Sequence, residues 1–74
     1  MDRIMSQVYT AVIKRSGEWW IGWIEEIPGV NCQESTKEDL LDTLRVTLAE
    51  VIELNREQSR REAGAEFEEY AIAL

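Results

Sequence analysis

The chain has 74 residues, 15 of them acidic and 8 basic, for a formal net charge of −7 at neutral pH. That length makes a single domain over residues 1–74, with so little core that a homo-oligomer, dimer or higher, is expected. The acidic balance argues against direct nucleic-acid binding, which calls for a basic patch, and favours a basic protein partner. One cysteine and no histidine exclude an internal disulfide, a Ser-His-Asp or Cys-His nucleophile and any histidine metal ligand. No apolar run approaches the roughly 18 residues of a membrane span. The opening MDRIMSQ lacks the apolar core of a signal peptide, so no membrane association and a cytoplasmic location are expected.

In chain order, VYTAVIKR near residues 8–15 is rich in Val, Ile, Thr and Tyr and predicts a strand. EWWIGWIE, residues 18–25, predicts the next. Ser16-Gly17 between them suits a two-residue hairpin loop, because Gly accepts the positive φ of a tight turn. With those two residues as the loop, Arg15 faces Glu18, Ile13 faces Trp20, Ala11 faces Gly22 and Tyr9 faces Ile24. On the opposite face Lys14 meets Trp19, Val12 meets Ile21 and Thr10 meets Trp23. Successive strand side chains point to opposite faces, and here both faces are apolar. The small pair Ala11 and Gly22 marks the first face as the one that seats a helix. The second face, with Val12, Trp19, Ile21 and Trp23, has no such recess and reads as a protein interface.

Glu25-Glu26-Ile27-Pro28-Gly29 ends the second strand, with Pro28 presetting a turn and Gly29 allowing it to close. Val30 to Glu34 suits a short third strand in which Cys32 alternates with its neighbours as a buried, inert thiol, nothing marking it as reactive. Helix-start signals follow: Ser35 with Glu38, or Thr36 with Asp39, has capping-box spacing, and acidic residues suit the positive end of the helix dipole. Leu40, Leu41, Leu44, Leu48, Val51 and Ile52 then recur at helical spacing, predicting one long amphipathic helix. The stripe stops after Leu54, and Asn55 to Glu62 is nearly all polar. Gly64 is a natural helix stop. Glu66 to Leu74, EFEEYAIAL, suits a last strand with Tyr70, Ile72 and Leu74 on one face, although Ala, Glu and Leu would also continue a helix.

The expected fold is therefore α+β: a small antiparallel-type sheet in the order β-β-β-α-β with one long helix on one face. One helix cannot cover both faces. The second must meet solvent, another chain or the polar tail of the helix folded round, and a second chain is the expectation. Trp is enriched both in cores of assemblies and in binding hot spots, so Trp19 and Trp23 fit either use. Phosphate loops are missing, and the carboxylates fall where solvent is expected rather than around a pocket. The chain thus reads as a non-enzyme without cofactor or metal.

Tyr9 in the first strand, Gly17 before an aromatic second strand, Ile27-Pro28-Gly29, then Thr36 seven residues on and Lys37-Glu38-Asp39-Leu40 opening a helix resemble the HicB-like antitoxin family over roughly Tyr9 to Leu54. Glu34, Val30 and Leu40 depart from the family's usual Gly, Cys and Ala at those places, and Glu25 occupies a place that is often Pro. The resemblance implies a partial ribonuclease-H-like fold without the catalytic acids. It also implies an antitoxin that masks a small basic mRNA-cleaving toxin of a type II toxin–antitoxin system. The likeness is closest to short, stand-alone members without a C-terminal DNA-binding domain. The other reading is a self-assembling structural or regulatory module with no toxin partner.

Overall fold

The computed structural model describes residues 8–73. Residues 1–7, on which the expectation of no signal peptide rests, and Leu74, the last position of the expected terminal strand, lie outside them. Three strands, β1 (Ala11–Ser16), β2 (Trp19–Ile24) and β3 (Asn31–Glu34), precede one helix, α1 (Lys37–Ala63). The sheet is antiparallel in the order β1-β2-β3. The α+β class with a single long helix is as the sequence predicts.

The first hairpin differs from expectation in register. Ser16 pairs with Trp19, so Gly17 and Glu18 form the loop, and the ladder runs through Ile13 opposite Gly22 to Ala11 opposite Ile24. Gly17 takes φ +63 at the first loop position, the sign that tight hairpin turns require there. Compared with a Ser16-Gly17 loop, every partner of β1 moves along by two residues. A shift of two preserves the faces, whereas a shift of one would have exchanged them. The faces read from the sequence therefore survive a wrong register. Ala11 does not oppose Gly22, and the recess is made by Gly22 alone.

That recess seats the helix. A Cβ on Gly22 would lie 3.2 Å from Leu40 Cδ2, 2.9 Å from Ile13 Cγ2 and 2.9 Å from the Val12 carbonyl oxygen. Thr43 Oγ1 donates to Glu34 Oε2 at 2.7 Å, and the Cys32 thiol lies 3.7 Å from Thr47 Oγ1. These contacts run α1 back along β3, with its buried side chains over β2 and β3. Cys32 lies on this side but is half-buried, less enclosed than the buried thiol the sequence predicts. The buried hydrophobic set is Ile24, Val30, Leu40 and Leu44, with Tyr9, Ile13, Trp20, Ile27, Leu48 and Val51 packed around it. Arg15 Cζ and Lys37 Nζ stand 5.5 and 5.9 Å from the Trp20 ring centroid, close enough for cation–π attraction at the rim of this core.

Local chemistry sets the element ends. Thr36, not Ser35, is the N-cap: its hydroxyl accepts the Asp39 N–H at 3.1 Å while its backbone is extended. Glu38 and Asp39 occupy the first turn and Arg60 and Arg61 the last, both matched to the helix dipole. Gly64 closes the helix at φ +90, its N–H donating to the Arg60 carbonyl at 3.3 Å. Between β2 and β3, the turn through Pro28 and Gly29 (φ +92) lets Ile24 N–H reach the Val30 carbonyl at 3.3 Å. Thr10 extends the β1 ladder, its carbonyl accepting Glu25 N–H at 2.9 Å and its own N–H donating to Glu26 Oε1 at 2.8 Å.

The terminal strand is not formed. Residues 64–73 are exposed and irregular, and belong to no sheet. The helix explains why. Its last core contact is Val51, and the twelve residues from there to Ala63 carry the chain about 18 Å further. Two extended residues, Gly64 and Ala65, span only about 7 Å, so Glu66 cannot regain the sheet. The Cα radius of gyration is 15.5 Å, against about 11 Å for a compact chain of this length.

Two outcomes follow. Gly22→Ala should lower stability by about 1–3 kcal/mol in urea unfolding, because the Val12 carbonyl and Ile13 methyl leave no room for a Cβ; parent-like stability would mean that both give way. The Thr10 hydrogen bond holds the Glu26 carboxyl below its ordinary value of 4.5. A lowered acid stabilises the fold above the ordinary value and ceases to do so as pH falls through the lowered one. The Thr10 amide resonance should therefore move in acid with a midpoint below 4.5, and Glu26→Gln should abolish that movement.

Candidate protein-interaction face

With Trp20, Gly22 and Ile24 turned toward α1, strand alternation turns Trp19, Ile21 and Trp23 to the opposite side. Register fixes their neighbours. Trp23 lies between Val12 and Asn31, Ile21 lies between Lys14 and Gln33, and Trp19 stands at the hairpin end beside Ser16. Val12, Trp19, Ile21 and Trp23 thus share one sheet face, as the sequence predicts, although the pairings within it differ. Trp19 retains 47% of its exposure and Trp23 36%, while Val12 and Ile21 are half-buried. The polar tail of the helix does not fold round to this side.

The chemistry of the face is a shallow groove along β2 and β3, floored by Ile21 and walled by Trp23, Asn31 and Gln33. Asn31 and Gln33 were not singled out in the sequence, yet the alternation that turns Cys32 inward also turns them outward. Amide side chains beside an indole supply hydrogen bonds of both senses next to apolar area, a combination suited to contact with another protein. Trp indoles contribute on the order of 200 Å² each when enclosed, so the two open rings leave on the order of 200 Å² between them. This is less than a bare tryptophan pair would show, because neighbouring strand side chains already shade part of each ring. A stable interface needs about 800 Å² per partner, so the tryptophans can form its centre but not its whole extent.

Pro28 and Gly29 serve the β2–β3 turn and Thr36 the helix cap. These are structural positions, and Ser35 is an exposed linker residue. Among the described residues no group of three or more His, Cys, Asp or Glu side chains is placed to hold a metal ion, and no helix is long and apolar enough to cross a membrane. A second apolar region appears where a strand was expected: Phe67, Tyr70 and Ile72 of the C-terminal segment keep 45, 78 and 79% of their exposure. The alternation of Tyr70 and Ile72 was visible in the sequence, but not that it would go unpaired. No family model, curated protein or solved structure matches this chain.

Proposed function

We propose that this chain is a protein-binding module that acts as an antitoxin, covering a small basic mRNA-cleaving toxin, in the manner its sequence resemblance implies. One observation carries the binding reading: an aromatic sheet face, centred on Trp19, Ile21 and Trp23, lies opposite the only helix of the described fold and is left open. The antitoxin identity comes from the motif resemblance, and the charge of −7 supports it. An acidic surface draws a basic partner and competes with RNA for the same cationic groups. In this role the chain is non-catalytic, needs no cofactor and works in the cytoplasm.

A second reading, a self-assembling module without a toxin, is favoured by the small core. Four buried hydrophobic side chains are few for a stable monomer, and association would add what the core lacks. The two readings use the tryptophan face differently and are separable.

A short basic protein should be encoded beside this chain; co-expression of the two should restore growth to cells that the basic protein arrests, and the two should co-purify. Trp23→Ser should weaken that binding by at least about tenfold, as expected for a central aromatic anchor, while leaving the urea midpoint of the chain near that of the parent. Growth arrest that persists despite soluble antitoxin would reject the antitoxin reading. An unchanged affinity and unchanged assembly mass for Trp23→Ser would reject the face.

A further inference from the structure

We infer that residues 66–73 form a strand on the β1 edge of a second copy of this chain, each copy giving its tail to the other. Both β1 and β3 are edge strands among the described residues, and an edge strand is a template for pairing. Of the two, β1 is the longer and carries Lys14 and Arg15 with no acidic residue, whereas β3 ends in Glu34. The tail carries Glu66, Glu68 and Glu69. Charge therefore selects β1 as the receptor.

The register follows from that choice. An antiparallel pairing with Glu69 opposite Arg15 places Tyr70 opposite Lys14, Ala71 opposite Ile13, Ile72 opposite Val12 and Ala73 opposite Ala11. Ile72 then extends the open tryptophan face beside Val12. Ala71 and Ala73 fall on the side that holds the helix, where small side chains avoid a clash. Backbone direction agrees. The Thr10 carbonyl points toward β2, so by the two-residue period of an antiparallel ladder Ala11, Ile13 and Arg15 turn their N–H and C=O groups outward. Those are the three positions that this register pairs.

The tail is prepared for the exchange and barred from pairing at home. With Glu69 opposite Arg15 the pairing is out of reach within one chain: Arg15 and Lys37 flank Trp20 at the N-terminal end of α1, about 39 Å from Ala63, whereas the six residues to Glu69 span only about 21 Å. Within its own chain the segment is held by a surface ion pair, Arg60 Nε to Glu69 Oε2 at 3.2 Å, and such exposed pairs contribute little. Tyr70 O–H donates to Glu68 two residues back, which places both side chains on one side, as an extended segment does. Because each copy gives its tail to the other, the two contacts are related by a two-fold axis, and the exchange closes as a dimer instead of running on as a filament.

Sedimentation equilibrium of the full chain should show a dimer, and a chain ended at Gly64 should dissociate at least about a hundredfold more easily. Glu69→Arg should weaken the dimer about tenfold through like charges at two symmetric sites. Adding Arg15→Glu to that chain should restore it to within about threefold. Circular dichroism confirms that each variant is folded. A full chain that is monomeric at high concentration, a Gly64-ended chain that dimerises as the parent does, or a double reversal no tighter than Glu69→Arg alone would each overturn the exchange. The exchange does not rest on the tryptophan face: Trp23→Ser in the same assay reports on that face, and Glu69→Arg on the tail.

Discussion

One helix lies on a sheet with two apolar faces, and most of the structure follows from that shortfall of cover. Leu40 enters the space above Gly22, Leu44 and Val30 close around Ile24, and the buried set is then complete. The hydrophobic effect rewards area removed from water, and this arrangement removes it on one side of the sheet only. Trp19 and Trp23 remain on the other. Their position is a consequence of strand alternation, since a hairpin that buries Trp20, Gly22 and Ile24 turns the odd-numbered aromatics outward.

A second constraint comes from helix length. Thr36 and Gly64 set the ends of α1 by local hydrogen bonds, and neither end takes account of how long the sheet is. The helix consequently overshoots its own core by several turns. Along this projecting portion the sequence turns polar, as an exposed rod requires. Its far end presents a segment that carries Glu66, Glu68 and Glu69 and then runs apolar from Tyr70 to Ala73, well away from β1. The same overshoot that makes the molecule elongated thus converts an expected intramolecular strand into an extended, exposed tail.

Together these features describe a chain that is incomplete in a particular way. Its open regions, the tryptophan face and the C-terminal segment, are apolar patches edged by polar or acidic groups, the pattern of surfaces that meet other proteins. Neither contains a cluster of groups poised for chemistry. The Glu26 carboxyl, held below its ordinary value, is tied to the Thr10 backbone and secures the start of β1.

Much of this was legible in the sequence because the deciding forces are local. Period-two alternation in EWWIGWIE assigned the faces, the Thr36–Asp39 spacing marked the helix start, and Gly64 marked its end. Even an incorrect hairpin loop left the face assignment intact, since the true register differs by two residues. Tertiary structure alone decided three things. The loop moved to Gly17-Glu18, giving Ile13 rather than Ala11 the place opposite Gly22, and several turns of this kind are compatible with the same short sequence. The cap fell to Thr36 over Ser35, because only one of two adjacent hydroxyls can meet the Asp39 N–H. The fate of Glu66 to Ala73 depended on the distance between the helix end and the sheet, a quantity set by packing and invisible in any local pattern.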